Sequence, residues 1–197
     1  MPSLTDVVLP NAFRYNMDIT VSGSSPFILL SHIGIGALIM FLSLPSNQYC
    51  MNALQGSTKI TSFEIGKDAC QFESVTALDL SKYPKVKTVR ISHSSFSYVN
   101  EVKMIGLKQL ESVVIGENSF TKKKNSYGNN RNRHFYLKNC PKLKSLKIGG
   151  YSFSDYSVIE IENVDALEVI EMGDYDEDSY SFYSASLELK SILIQSE

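Results

Sequence analysis

The segment Leu143-Lys-Ser-Leu-Lys-Ile-Gly-Gly-Tyr-Ser-Phe153 carries the pattern that decides the fold. It reads apolar-x-x-apolar-x-apolar and is followed by a corner that ends in Ser-Phe. The alternation at its end is typical of a half-buried β-strand. Copies of the pattern recur along the chain, at Ile60, Phe63, Ile65; Val86, Val89, Ile91; Leu110, Val113, Ile115; Leu167, Ile170, Met172; and Leu189, Ile192, Ile194, with earlier copies at Leu4, Val7, Leu9 and Ile39, Leu42, Leu44.

A second short strand pattern lies between these copies. It alternates apolar and polar residues, as in Leu78-Asp-Leu80, Val102-Lys-Met104, Phe135-Tyr-Leu137 and Ile159-Glu-Ile161. Its last apolar residue always lies six positions before the next copy, so one corner has constant length. From Ile60 onward the copies start 26, 24, 33, 24 and 22 residues apart, so insertions collect at the opposite corner.

A repeated unit of this size cannot bury its apolar stripe alone, and stacking the units makes one continuous core. We therefore predict a mainly β solenoid of ~22–26-residue coils with parallel sheets and few helices. Residues 54–197 form this solenoid, and residues 1–53 form degenerate N-terminal repeats that include an apolar segment, 27–44. Eight side chains should lie buried side by side: Val89, Ile91, Val113, Ile115, Leu146, Ile148, Ile170 and Met172.

The corner after the first strand also repeats, as in Ile91-Ser-His-Ser-Ser-Phe96 and Ile115-Gly-Glu-Asn-Ser-Phe120. We expect the recurring Phe to enter the core there. We expect glycines such as Gly116 and Gly149 to permit a backbone turn that other residues resist.

These units resemble leucine-rich repeats, in particular the degenerate Ser- and Phe-rich type of large protist families. Asn139-Cys-Pro-Lys-Leu143 and the segment that follows it carry the likeness best, and Leu9-Pro-Asn-Ala-Phe13 is similar to the BspA-like surface-antigen type. The resemblance implies protein binding or adhesion and supplies no catalytic residue. The Asn column of the standard repeat survives only at Asn139 and Asn163, and the repeat is lost between residues 22 and 38.

The composition excludes little by itself. With 19 basic and 21 acidic residues the net charge is −2, which does not favour nucleic acid as a partner. Cys50, Cys70 and Cys140 are far apart and odd in number, which is typical of buried free thiols in a reducing compartment. We therefore expect a cytoplasmic protein, with the membrane or cell surface as the alternative location.

The apolar segment 27–44 reads FILLSHIGIGALIMFLSL. Its 18 residues are just enough for a membrane span, but Ser31, His32 and Ser43 interrupt it and no basic residue flanks it closely. A buried helix or irregular coil is the preferred interpretation. A membrane span is the alternative, and it would make the membrane a partner.

Two charged stretches lie at variable corners. Residues 121–134 read TKKKNSYGNNRNRH, which we interpret as a solvated hairpin extension, with a basic finger for an acidic or phosphate partner as the alternative. Residues 174–180 read DYDEDSY and alternate Asp174, Asp176 and Asp178 as in a calcium loop. Ser179 stands where such a loop has Gly and Ala185 where it has Glu, so we expect an acidic loop and no metal site.

Motifs for catalysis are absent: the chain has no Gly-x-Ser-x-Gly, no phosphate loop and no His-Glu-x-x-His. The carboxylates fall in loops or at exposed strand positions, with no isolated buried pair for acid–base chemistry. We therefore predict a protein that is not an enzyme, with no catalytic residue, metal or cofactor.

The resemblance implies that a partner contacts the first strands, because in leucine-rich repeats the strand of this pattern lines the binding face. The positions available to it alternate with the buried ones. One outward column contains Glu64, Arg90, Val114, Lys147 and Glu171, and the neighbouring column includes Ser112 and Ser145. The leading hypothesis is a protein-interaction scaffold that binds a protein partner through this surface. A membrane-anchored surface adhesion or recognition protein is the alternative, and an uncharacterised enzyme ranks third. Uncapped coil ends also suggest end-to-end self-association.

Overall fold

The computed structural model describes residues 6–8, 19–22, 50, 53–122, 132–173, 179–183 and 185–190. These residues form two parallel sheets and a short 3-10 turn at Leu80–Lys82. The strands of the first sheet are β1 (Asp6–Val8), β3 (Ser62–Ile65), β5 (Thr88–Ile91), β7 (Ser112–Ile115), β9 (Ser145–Ile148) and β11 (Val169–Met172). Those of the second sheet are β2 (Ile19–Ser22), β4 (Ala77–Asp79), β6 (Glu101–Ile105), β8 (His134–Lys138), β10 (Val158–Glu162) and β12 (Ser186–Lys190).

The chain crosses from one sheet to the other and back, so each coil adds one strand to each sheet. The strand orders are β1-β11-β9-β7-β5-β3 and β2-β12-β10-β8-β6-β4. Equivalent strands pair in parallel, for example Val89 with Val113 and Val113 with Leu146. The predicted mainly β solenoid with parallel sheets is confirmed.

The core lies between the two sheets and runs from β3 and β4 to β11 and β12. All eight side chains predicted to be buried are at most 2% exposed. The second strands contribute the opposite wall, which includes Val102, Met104, Phe135, Leu137, Ile159 and Ile161. Full burial of one such side chain contributes about 1.5–3 kcal/mol, so the shared apolar register is the main source of stability.

The corner of constant length uses the same hydrogen bond in successive coils. The backbone N–H of Leu110 donates to the carbonyl of Leu107 at 3.2 Å, and that of Leu167 donates to Val164 at 2.9 Å. The accepting residues Tyr83, Leu107, Cys140 and Val164 are all buried. A closed one-turn corner with a buried anchor explains why this spacing does not vary.

The variable corner begins with two left-handed residues that flank a small one. Ser94 and Phe96 have φ of 56° and 60°, and Asn118 and Phe120 both have φ of 57°. The four corner phenylalanines, Phe96, Phe120, Phe153 and Phe182, are completely buried and stack along the axis, with centroids 4.6–5.2 Å apart. The expectation that the recurring Phe enters the core is confirmed.

This corner places bulky residues in a backbone region that they normally avoid, at about 1–2 kcal/mol each. Burial of a Phe side chain contributes about 1.5–3 kcal/mol, and ring stacking adds about 0.5–1.5 kcal/mol per pair. The packing therefore outweighs the backbone strain, but only while neighbouring coils supply the rings on either side.

The serine between the two left-handed residues links the coils through its hydroxyl. Ser119 Oγ donates to the carbonyl of Ser92 at 2.8 Å and accepts the backbone N–H of Ser95 at 3.3 Å. Ser152 repeats this arrangement one coil further, with Gly116 and Ser119 as its partners at 2.7 and 3.1 Å. Ser95, Ser119, Ser152 and Ser181 are fully buried, and their ladder satisfies backbone groups that would otherwise lack partners.

The glycines after the first strand have a different role from the one expected. Neither Gly116 nor Gly149 has a positive φ. A Cβ on Gly116 would lie 2.8 Å from the His93 nitrogen, and one on Gly149 would lie 2.6 Å from the Glu117 nitrogen. These glycines are required because adjacent coils approach each other closely there. They are not required for a left-handed turn.

The last predicted copy of the first strand is wrong. Leu189 belongs to β12 in the second sheet, where it pairs with Ile161. The pattern Leu189-x-x-Ile192-x-Ile194 imitates a first strand, although residues 191–197 lie outside the described residues. Ile159 of β10 and its partner Leu187 of β12 are 28 residues apart in sequence. The chain between β11 and β12, which contains residues 174–180, is longer than the chain between β9 and β10.

The N-terminal strands occupy an unexpected place. Val7 aligns with Ile170, as the repeat pattern predicts, but β1 and β2 lie beyond β11 and β12 at the far end of the stack. The predicted copy at Ile39, Leu42 and Leu44 and the apolar segment 27–44 lie outside the described residues. Within the described ranges no helix is both long and apolar enough to cross a bilayer.

We expect Val113→Asp to lower the free energy of unfolding by about 3 kcal/mol or more, because a charge would be buried without a partner. Val113 is fully buried, whereas its neighbour Val114 faces outward from the same strand. Urea unfolding of Val113→Asp and of the matched control Val114→Asp measures the difference. Similar small effects of both substitutions would contradict the assigned strand register.

Candidate interaction surface

The outer surface of the first sheet, here called the first face, brings the predicted binding residues into two straight columns. Glu64, Arg90, Val114, Lys147 and Glu171 are successive partners in the parallel register. Ser112 and Ser145 are likewise direct partners in the neighbouring column. None of these seven residues is buried, and Arg90 and Lys147 are exposed.

Side chains on the first face also contact one another. Lys147 Nζ lies 2.8 Å from Glu171 Oε2, as the sequence indicated for these neighbours. At the other end, Thr88 Oγ1 donates to Ser62 Oγ at 2.9 Å, and Ser62 Oγ donates to Glu64 Oε1 at 2.8 Å. The exposed lysine–glutamate pair contributes little to stability, about 0–1 kcal/mol.

The outer surface of the second sheet, here called the second face, carries a denser set of charges that the sequence analysis missed. Lys138 Nζ lies 2.6 Å from Glu160 Oε2 and 3.2 Å from Glu162 Oε2. The hydrogen bond to Glu160 is the largest of the effects that raise the pKa of Lys138. Lys103 pairs with Glu101 at 2.7 Å, and Lys190 pairs with Glu188 at 2.6 Å. The alternation of apolar and polar residues in the second strands also identifies these outward positions from the sequence.

An aromatic group adds to the second face. The rings of His134 and Tyr136 stack with centroids 5.7 Å apart, and Lys138 Nζ lies 5.5 Å from the Tyr136 ring. Partial burial is the largest effect that raises the pKa of Tyr136, and the negative charge of Glu160 is the next largest. Because the charges here are already paired with each other, a partner would have to compete with ion pairs within the sheet.

A buried ion pair shows that the interpretation of residues 121–134 as solvated is wrong at Arg133. Arg133 is 1% exposed and pairs through Nη1 with Asp155 Oδ2, and Asp155 is itself 6% exposed. Arg133 Nη2 donates to the carbonyls of Ser97 and Val99 at 2.9 and 2.6 Å, and its guanidinium lies 4.8 Å from the Tyr156 ring. Asp155 lies in a loop, as expected for the carboxylates, but it is buried there.

Asp155 closes the base of the insertion. Its Oδ2 accepts the backbone N–H of Lys122 at 3.3 Å as well as the Arg133 guanidinium, so one carboxylate holds both ends. Burial raises the pKa of Asp155, and Arg133 opposes that effect. Residues 123–131 between these ends lie outside the described residues, so the basic-finger alternative stays a prediction.

The cysteines differ from expectation at one end of the stack. Cys50 and Cys70 form a disulfide with Cα atoms 5.3 Å apart, which is within the usual range. Cys70 takes the left-handed corner position that Phe96 takes in the next coil. The reading of these two cysteines as free thiols is therefore wrong. Cys140 is a buried free thiol, and burial raises its pKa to about 11.

Among the described residues, no three His, Cys, Asp or Glu side chains lie close enough together to hold a metal ion. The acidic residues 174–178 lie outside that part of the chain. In the comparisons with known proteins, no family model, curated protein or solved structure matches this chain.

We expect deletion of 123–131 to preserve the fold. It returns the 33-residue spacing of this coil to the 24 residues of its neighbours, and it keeps Lys122, Arg133 and Asp155. The free energy of unfolding should change by less than about 1 kcal/mol, because a shorter loop costs little closure entropy.

Asp155→Ala is the matched comparison. It leaves the Arg133 charge buried without its partner, which costs about 3–5 kcal/mol. Urea unfolding of both variants tests the assignment. A deletion that unfolds the chain, or an Asp155→Ala variant as stable as the parent, would show that the closure is misassigned.

Proposed function

We propose that this chain is a non-enzymatic protein-interaction scaffold that binds its partner through the first face. The observation that supports the proposal is the register of Glu64, Arg90, Val114, Lys147 and Glu171 in five successive coils. A rigid sheet places these side chains about 4.8 Å apart along the axis, so one extended partner can contact several coils together.

The chemistry of the first face indicates what such a partner presents. Arg90 and Lys147 lie two coils apart, about 10 Å, with Val114 between them. Arg90 is exposed and makes no ion pair with any other described residue. A partner with acidic side chains on either side of an apolar one would match this arrangement.

The ion pairs that a partner would have to break also favour the first face over the second face. Binding at Lys147 exchanges one exposed ion pair, whereas Lys138 of the second face is held by Glu160 and Glu162 together. Breaking a single exposed pair costs about 0–1 kcal/mol. The resemblance to leucine-rich repeats points the same way, because in that family the equivalent strands line the binding surface.

Charge reversal on the first face should weaken binding with little effect on folding. We expect Arg90→Glu with Lys147→Glu to lower affinity at least about tenfold, roughly 1.4 kcal/mol, by adding repulsion to lost attraction. Both side chains are exposed, so the free energy of unfolding should fall by less than about 1 kcal/mol.

The matched control is Lys103→Glu with Lys190→Glu, which makes the same change of net charge on the second face. The partner is first captured with the parent chain, and the affinities of all three proteins for it are then measured. Loss of binding in the control but not in the first-face variant would move the site to the second face.

A second candidate is a surface adhesion or recognition protein that reaches the cell surface without a span at 27–44, since β2 and β3 flank that segment in sequence and belong to one stack. The Cys50–Cys70 disulfide favours this candidate, because disulfides persist in oxidising environments and are rare in the cytosol. It weighs against the cytoplasmic location that the cysteine count indicated.

Thiol trapping tests this second candidate. With thiols blocked at the moment of lysis, the chain denatured without reductant should show one modified thiol, Cys140, and all three after reduction. In the folded chain at pH 8 the buried Cys140 should not react, because its pKa of about 11 keeps the thiol protonated. Three modified cysteines without reductant would place the chain in a reducing compartment and remove the support for a surface location.

A further inference from the structure

The strands β1 and β2, here called the N-terminal coil, are placed in space as the last coil of the stack. β1 pairs in parallel with β11 over Asp6–Val169, Val7–Ile170 and Val8–Glu171. β2 pairs in parallel with β12 from Ile19–Leu187 to Ser22–Lys190. The N-terminal coil therefore docks on the end of the stack that is farthest along the sequence from its own connection to β3.

The docking site consists of two strand edges. β11 and β12 present rows of backbone N–H and C=O groups that require a further parallel strand. The N-terminal coil satisfies both rows at once, and its spacing between β1 and β2 is close to that of β5 and β6. Any strand pair with this register and spacing fits the site, and each copy of the chain carries one.

The covalent connection does not decide which copy supplies the N-terminal coil. Residues 23–49 join β2 to Cys50 at the opposite end of the stack. The six strands of a sheet span about 24 Å, whereas residues 23–49 fully extended would reach about 90 Å. A connection with this much reach allows docking onto the same chain or onto a neighbour.

We propose that the N-terminal coil also docks on β11 and β12 of a second copy of this chain, so that two copies exchange coils. The exchanged form uses the same strand pairs as the closed form and buries no new surface. Exchange of an identical element is a low-cost route to self-association. Docking within one chain has the advantage of a high effective concentration, so the exchanged form grows with protein concentration.

The inference goes beyond the proposed function. The contact uses the edges of β11 and β12, whereas the proposed partner contacts side chains of the first face. Loss of coil exchange would leave the binding of that partner unaffected.

Cysteine pairs at Val8 and Glu171 test the inference, since these residues are partners in the parallel register. Neighbouring parallel strands place their Cα atoms about 4.8 Å apart, within reach of a disulfide. Two chains are co-expressed in a Cys140→Ser background, one with Val8→Cys and the other with Glu171→Cys and a larger tag. Docking of the N-terminal coil on a different copy brings these two cysteines together and gives a disulfide-linked product that joins the two chains, in excess of the product that random collision gives.

Two further proteins make the result decisive. A single chain with Val8→Cys and Glu171→Cys should close its own disulfide, which reports the docking described here. Val8→Cys co-expressed with Arg90→Cys, at the equivalent column position inside the stack, should give no linked product. We expect the Val8/Glu171 product to increase with protein concentration.

Three outcomes would overturn the inference. The single chain could close its own disulfide while the co-expressed pair gives no linked product, which would show that coils are not exchanged. The Arg90→Cys control could give as much linked product as Glu171→Cys, which would indicate random collision. Neither the single chain nor the co-expressed pair could form the Val8–Glu171 disulfide, which would show that the N-terminal coil does not dock on β11.

Discussion

The Ser-Phe corner is the contact on which the rest of the structure depends. It combines two left-handed residues, a buried serine hydroxyl that links neighbouring coils and a phenylalanine ring that stacks along the axis. The strained backbone of Phe120 costs about 1–2 kcal/mol, which burial and stacking exceed only when adjacent coils are in place. No coil can adopt this corner alone, so the solenoid forms cooperatively.

Both faces follow from that corner. Because Ser95, Ser119 and Ser152 must hydrogen bond in sequence, the strands that precede them are held in register. That register aligns the outward residues of the first face and, through the constant corner, those of the second face. Variation is confined to the other corner, where Asp155 and Arg133 close the insertion with a buried ion pair. A buried pair is costly to form, and its value here is that it holds both ends of the insertion at one point.

The two ends of the stack are finished by different means. At one end the Cys50–Cys70 disulfide lies where the next coil has Phe96, and the Tyr83 hydroxyl, which donates to the carbonyl of Ala53, accepts the backbone N–H of Gly56. At the other end the N-terminal coil covers the edges of β11 and β12. A covalent bond holds the first end until it is reduced, whereas the second end is held by strand pairing alone.

The repeat pattern by itself determined the mainly β solenoid, the parallel register, the buried core and the columns of the first face, because period-two alternation and constant spacing are local properties of the chain. Leu189, Arg133 and the Cys50–Cys70 pair were misread, since strand membership, burial of a charge and disulfide pairing depend on which distant segments meet. The charges of the second face could be read from alternation, but their pairing could not, because Lys138 and Glu160 belong to different coils. Only the tertiary structure placed the N-terminal coil at the far end, because any exposed parallel edge of the right register satisfies its hydrogen bonds.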